Sequence, residues 1–503
     1  MEATNRAKAQ PRPDDSDHQK TRKGDTSARA LVRLTEQLKV ELFHTPAQEA
    51  FARICVRGHS ENHRVKGSAF KDWLSAMCYH LERFVPGQNA LAEAINALAG
   101  QAVYDGTEMQ VQTRLAEHNG FVYLDLGSGS WEVVRISAEG WEVVPEAPVR
   151  FVRSPEMLAL PHPLDGGRID ALSPLLNLSE DNLTLGIAWL IGAFRPKGPF
   201  TILVIEGTHG SAKTTAARSL IALMDPRKPE LRAPPSNLRD LAISAENSWC
   251  LGFDNISHVK PWFSDALCRL STGSGFTTRA LYKDDEEKIF AGVRPVLLNG
   301  IAIGIDREDL RDRCIFLSLP SIPDEKRQTE QQVSARFREI QPFALGCLLD
   351  AVAGGLRRLP ETKLDDLPRM ADFTAWVCAA EKSLSWPDRA FCEAYSRNRK
   401  DSNALALEGS PLFLPITLLA DKGPWEGTAT ELMDIVAKGT LGPHPETPKE
   451  LSHALRRLTP NLLQIGYSVE FEQTQGNNSK RVIRISKVTS NGKGLAPEGS
   501  TAT

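Results

Sequence analysis

The sequence has no cysteines in C-x-x-C spacing, no apolar run long enough to cross a bilayer, and almost no imbalance of charge. Each absence excludes a class of protein. The eight cysteines, at positions 55, 78, 250, 268, 314, 347, 378 and 392, lie far apart. They fit neither a zinc ribbon nor a disulfide framework and read as reduced, mostly buried thiols. The longest apolar stretch, around Leu185 to Phe194, is about half of the roughly 20 residues a membrane-spanning helix needs, and Arg195 ends it. The first 25 residues carry basic side chains but no apolar segment, so they do not read as a secretory signal; the expected setting is cytoplasmic, with no membrane partner. Lys and Arg total 60 against 63 Asp and Glu, so any grip on nucleic acid has to be local. Hydrophobic residues at 41% and charged residues at 24% exclude disorder along most of the chain, and collagen, mucin or heptad architectures with it.

What is present is a chain of 503 residues, enough for about three domains. Its patterning divides it as follows. Residues 1–30 are polar and aperiodic and read as a tail. Leucines 31, 34, 38 and 42 recur at helical spacing, as do apolar residues in 70–83 and 91–103, which predicts a helical N-terminal domain over 31–118. The period then drops to two in Phe121–Leu126, Trp131–Ile136 and Trp141–Val144, a small antiparallel meander within 119–160. Residues 161–183 are rich in Pro, Gly and Asp and read as a linker. Short apolar runs at 200–205, 249–253, 296–298 and 314–319, separated by helical stretches, predict an α/β core with a parallel sheet covered on both faces, over 184–320. Helical patterns over 321–405, a last unit over 406–487 and a Ser/Gly/Lys tail over 488–503 complete the chain.

Directly after the first core strand comes Gly207-Thr208-His209-Gly210-Ser211-Ala212-Lys213-Thr214-Thr215, leading into a helix. A strand, a glycine-containing loop and a helix that opens on Lys-Thr aim backbone N–H groups at a polyphosphate, so ATP is the expected ligand. Lys213 would reach the β and γ oxygens and Thr214 would hold Mg²⁺. Ala212 stands where this motif usually has glycine; it keeps the N–H donor and adds one methyl group.

Forty-one residues after Lys213, a strand ends in Asp254-Asn255. A carboxylate at that position holds Mg²⁺ or its waters; alternatively it caps the following turn. Asn255 can orient water but cannot accept its proton. That leaves the base unassigned, with Glu206 as a candidate or as a structural carboxylate. Asn299, ending another strand, suits a hydrogen bond to the γ-phosphate and the attacking water, or else is a turn residue before Gly300. Arg307, Arg311 and Arg313 precede the next strand. A guanidinium there can reach a neighbouring subunit's γ-phosphate, Arg313 being the first choice, or pair with Asp309 or Asp312 on the surface.

Taken together, Gly207–Thr215, Phe253-Asp-Asn-Ile-Ser, Ser264–Gly273, Arg279-Ala-Leu-Tyr, Arg294–Ile301 and Asp309-Leu-Arg-Asp-Arg resemble an AAA+ ATPase of the superfamily-three helicase type. The resemblance covers about residues 120–485. It is to the ATPase half of primase-helicases from phages, poxvirus-like viruses and bacterial mobile elements, and to replicative helicases of staphylococcal cassette elements. It implies a homo-hexameric ring around DNA, single-stranded in the channel, a primase or initiator as a further partner, and Asp-Asn as a frequent replacement for Asp-Glu. It also implies a hairpin between Asp254 and Asn299 that points into the channel, with Arg279 and Lys283 near DNA; the acids 284–287 equally suit a solvated turn. Arg369 falls where a helical lid could supply a second phosphate sensor, or is an ordinary helix-start residue.

In the last unit, Thr428 can cap a helix over 429–437, a second helix spans 449–458, and strands near 467–472 and 480–485 suggest a winged helix. Seven bases against three acids between Lys449 and Lys487 make this the best basic patch, with Arg456, Arg457, Lys480 and Arg481 as candidate DNA contacts. The expected function is an ATP-hydrolysing, ring-forming DNA helicase or translocase for replication or mobilisation of a phage or mobile element. The alternative is an AAA+ signalling or defence switch that gates a protein partner without unwinding. A small-molecule P-loop kinase fits poorly, because it needs neither the arginines before the last core strand nor the long C-terminal additions. Primase chemistry finds no paired carboxylates, Asp125 being a lone strand acid.

Overall fold

The computed structural model describes residues 16–273, 275–279, 287–290, 292–305, 307–364, 368–408, 410–439, 445–473 and 481–488. At the N-terminus a helix spans Ser16–Gln37, so it begins inside the expected tail and stops before Leu42, the fourth of the leucines that suggest a longer helix. Strands Glu41–His44, Ala50–Val56 and His59–Arg64 follow as antiparallel neighbours, with Thr107–Glu108 added in parallel beside the first, and helices Ser68–Met77 and Gln88–Tyr104 back this sheet. The expected all-helical domain is therefore mixed. Arg57 and Gly58 both take positive φ and fold the chain into a tight hairpin in the stretch between the helical spacings. Leu31, Leu34, Ile54, Phe70, Leu74 and Leu98 share one core there.

The meander has four strands in sequence order, Leu115–His118, Phe121–Asp125, Val133–Ile136 and Trp141–Val144. It begins earlier than its alternation suggests, and Trp131 lies outside the strand, at φ +58°. Asp125 is buried and held by Arg153, a structural role. The expected linker is packed structure. Ile169–Leu172 forms a 3-10 turn and Ser173–Leu176 a short helix, with Ile169, Leu172, Leu175, Leu176 and Leu178 buried in the main core. Burying those five apolar side chains outweighs the turn-forming composition around them.

The central unit opens with α1 (Glu180–Ala193), capped by Ser179, whose hydroxyl accepts from the Asn182 N–H, and buried throughout 183–193. Then come β1 (Ile202–Gly207), α2 (Lys213–Ala222), β2 (Leu251–Phe253), α3 (Pro261–Thr272), the antiparallel pair β3 (Phe276–Arg279) and β4 (Glu287–Phe290), β5 (Val296–Asn299), the single turn α4 (Glu308–Arg311) and β6 (Cys314–Leu319). As the apolar runs predict, β2-β5-β1-β6 form one parallel sheet in that order. One apolar cluster gathers Leu203, Ile205, Leu297 and Leu317 with α1 and α2, and another gathers Ile202, Val204, Leu251 and Leu298 with α3. The alternating residues of each strand thus feed opposite faces. Three helices follow, α5 (Glu330–Arg358), α6 (Ala371–Glu381) and α7 (Ala390–Glu408). In the last unit, β7 (Trp425–Gly427), α8 (Ala429–Gly439), α9 (Pro448–Gln464), β8 (Tyr467–Gln473) and β9 (Arg481–Lys487) enclose a separate core around Leu432, Leu451, Leu455 and Ile485. Thr428 caps α8 in a reciprocal box with Glu431.

Candidate nucleotide site

The order β2-β5-β1 brings three carboxyl-terminal strand ends side by side. Ile205 pairs with Asn299 and Phe253 with Leu298, so the loop after β1, Asp254 and Asn299 emerge together. Ligands of open α/β sheets bind at this edge. A cavity of about 260 Å³ lies there, lined by residues 209–215, Asp254, Asn255 and Asn299–Ile301.

The loop Gly207–Ala212 is fixed by its own backbone. Gly207 sits at φ +157° and a side chain there would collide with the Leu319 carbonyl, so only glycine fits the close approach to β6. Ala212 occupies the left-handed region, at φ +60° and ψ 25°, immediately before α2. The methyl group anticipated as a minor substitution therefore sits where L-residues are strained. Lys213 Nζ donates to the Thr208 carbonyl at 2.7 Å and to Ser211 Oγ at 3.4 Å, which places the ammonium across the loop.

At the opposite wall, Asn299 is 1% exposed and joins two other expected residues. Its Nδ2 donates to Thr214 Oγ1 at 3.2 Å and to Asp254 Oδ1, while Asn255 N–H donates to the same carboxylate oxygen at 2.9 Å. Asn255 has φ +58°, which turns the chain sharply after the carboxylate. Asn299 Oδ1 has no partner among the described residues. A buried acceptor on the cavity wall suits a water or another donor. The Thr214 hydroxyl and the Asp254 carboxylate are hard oxygen donors of the kind Mg²⁺ takes alongside substrate phosphates, so the residues present fit the ion.

Glu206 is not part of this lining. Its carboxylate accepts from the Ile303 N–H, and burial pushes its pKa up. Of the two readings left open by the sequence, this geometry supports the structural carboxylate. The four arginines also lie away from the cavity. Arg307 pairs with Asp265 at 2.9 Å, Arg311 donates to the Ile305 carbonyl, Arg313 donates to the Asp309 carbonyl, and Arg369 pairs with Asp312 at 3.0 Å. Arg279 ends β3 opposite Glu287, and Lys283 lies outside the described residues. In the last unit Arg456 packs over the Phe471 ring at 3.9 Å, Arg457 and Arg481 are exposed, and Lys480 lies outside the described residues. Arg484 and Lys487, counted in the basic patch, are taken up by Glu426, Glu472 and Asp421.

Sequence reasoning gives no sign of two residues that shape the loop. Asn177, itself left-handed at φ +49°, donates from Nδ2 to the Ser211 carbonyl at 3.0 Å and to the Pro320 carbonyl at 2.7 Å. It clamps the loop 207–212 to the chain leaving β6. Arg327 lies over Gly210, its Nη2 3.2 Å from where a Cβ would stand. Both come from segments distant in sequence. The only local hint was that asparagine is the residue most tolerant of a left-handed turn.

Residues 169–387 match a family of actinomycete integrative conjugative element replication proteins, and residues 416–499 match the C-terminal domain of the same group, AICE RepA. Among solved structures, the chain is similar to the apo A form of the NrS-1 C-terminal region, at 14% identity over 91% of this chain and 99% of that one, with a TM-score of 0.41. It is also similar to the SCCmec type IV Cch helicase, at 10% identity over 89% of this chain and 93% of the other, with a TM-score of 0.49. No curated protein matches it.

Proposed function

We propose, from this match to mobile-element replication proteins together with the site, that the chain is a Mg²⁺-dependent ATPase driving a DNA helicase or translocase during replication of an integrative element. The observation that carries the reading is the convergence of Lys213, Thr214, Asp254 and Asn299 on one cavity at adjacent strand ends. In this reading the loop N–H groups and Lys213 bind the triphosphate, and Thr214 and Asp254 hold the metal ion, whose charge would neutralise the phosphate oxygens. Asn299 holds Asp254 and Thr214 in place and positions the attacking water through Oδ1. Arg307, Arg311 and Arg313 face away from their own site and act on the neighbour's nucleotide in a homo-hexameric ring. Arg369, braced on Asp312, couples the helices α5–α7, read as a lid, to that arginine segment. The β3–β4 hairpin lines the channel, and the last unit acts as a winged helix contacting DNA.

The test is ATP turnover with and without single-stranded DNA, for wild type and Lys213→Ala. DNA-stimulated turnover confined to wild type is the expected result, and equal, negligible turnover in all four samples would overturn the reading. Nucleotide-dependent capture of a protein partner, with turnover indifferent to DNA, would point to the switch instead.

A further inference from the structure

A second cavity, of about 500 Å³, opens between the hairpin 50–64 and the meander, within the size range of small-molecule sites. Arg53, Arg57 and Asn62 line it from the hairpin, and Trp131 and Arg150 from the other side. Two of these residues have strained backbones. Arg57 takes φ +50° in a two-residue turn where Asn or Gly is favoured, and Trp131 takes φ +58°, which is rare for a bulky residue. Such strain persists where the surroundings impose it, and it clusters at ligand sites. At Trp131 the surroundings are visible. The Arg153 guanidinium lies 3.8 Å from the ring centroid and is itself held by the buried Asp125, with Nε to Oδ2 at 2.9 Å.

The lining residues of both sides include unmet hydrogen-bonding groups of both kinds. Asn62 is 7% exposed; its Nδ2 donates to the Phe151 carbonyl at 3.0 Å, which fixes the amide and leaves Oδ1 without a donor among the described residues. Arg150 Nε has no acceptor among them, although its Nη2 reaches Glu41. Buried polar atoms are ordinarily satisfied, so each of these two lining residues calls for a partner that the described residues do not supply. The lining carries Arg53, Arg57 and Arg150 beside Asp125, Glu132 and Glu146, and the acids are already engaged: Asp125 by Arg153, Glu146 by Arg53, and Glu132 by the Ser130 hydroxyl and His162. Arg57, exposed at the rim, makes no ion pair among the described residues. Burial and the neighbouring Arg150 cation both lower the Arg53 pKa, a sign that guanidinium groups crowd this space.

We infer that this cavity binds one nucleotide unit, its base against Trp131 and within reach of Asn62, its phosphate met by Arg57 and Arg150. Aromatic faces, guanidinium groups and a fixed amide are the means by which proteins hold unpaired nucleotides. The chemistry is shared by a free nucleotide and by one residue of a single strand, and the experiment separates the two. It uses the full chain carrying Lys213→Ala, which disables the phosphate loop and makes the result independent of ATP turnover. Fluorescent ADP and a labelled short oligothymidine are titrated separately by anisotropy. One of the probes is expected to bind, and Arg57→Glu or Trp131→Ala to weaken it about tenfold or more, with Trp131→Phe retaining most of the affinity. Loss confined to ADP identifies a free nucleotide, and loss confined to the oligomer identifies a strand. Arg57 is exposed, so unchanged thermal unfolding of Arg57→Glu shows that the fold survives. With Lys213 restored, basal turnover of this variant is expected to match wild type. Binding of neither probe, or affinities that ignore both Arg57→Glu and Trp131→Ala, overturns the proposal.

Discussion

Ala212 carries a backbone conformation that costs an L-residue about 1–2 kcal/mol, while glycine at the same place gives up roughly 0.5–1 kcal/mol of chain entropy. The first effect is the larger. Ala212→Gly is therefore expected to leave ATP turnover intact and to raise stability by up to about 1 kcal/mol. Ala212→Val, β-branched at positive φ, is expected to unfold at lower temperature and to raise the KM for ATP; thermal unfolding and turnover kinetics check both variants. Glu206 offers a pH-dependent test. Burial raises its pKa above the ordinary 4.5, with the Ile303 N–H opposing, so the folded chain holds this proton more tightly than the unfolded one. Stability from this group is thus complete below the unfolded pKa and is lost as pH rises through the folded value. Glu206→Gln fixes the neutral form. It is expected to match wild type near about pH 4 and to exceed it increasingly towards about pH 8, in thermal unfolding across that range. DNA-stimulated turnover persists in this variant if the carboxylate is structural, whereas its abolition with folding intact would return Glu206 to the role of base.

The elements legible in the sequence are those whose information is local. Strands β1, β5 and β6 are short, apolar and bounded by breakers, and the loop after β1 is a contiguous motif, so order and chemistry can be read from a few neighbouring residues. What escapes is what depends on distant partners. Strands 41–64 lie between two helical spacings and are absorbed into one expected helical domain, and the decisive Arg57–Gly58 turn gives no strong signal because arginine is an unusual occupant. The segment 169–178 has the composition of a linker and becomes packed structure only because a core is waiting for its leucines. The edge strand β6 shows the same limit. Asn398 of α7 accepts from the Phe316 N–H at 3.0 Å and donates back to the Phe316 carbonyl, taking the place of a neighbouring strand. That amide and the one of Asn182, which donates to the Ser318 carbonyl at 2.8 Å, occupy part of an otherwise open edge, and no spacing in the sequence announces either.

Across the whole molecule, the meander and the parallel sheet meet through one fully buried arginine. Arg114 donates from Nε to Asp225 at 3.0 Å, and its other nitrogens reach the carbonyls of Asp125 and Leu158. Asp225 in turn accepts from the Trp249 and Cys250 N–H groups just before β2. Removing Arg114 leaves Asp225 with only the Arg227 guanidinium, at 3.7 Å, as ion-pair partner among the described residues and strips two carbonyls of this donor, so Arg114→Ala is expected to lower stability by about 3 kcal/mol in denaturant unfolding. A loss below about 1 kcal/mol, the range of an exposed pair, would show that the ion pair does not join the two units.

The position of that arginine also ties two cavities to one anchor. Asp225 grips the start of the strand whose far end presents Asp254, and Arg114 grips the meander that walls the second cavity. The start of β2 and the meander beside Trp131 are therefore pinned to each other through one buried ion pair, and neither can be displaced alone without breaking it.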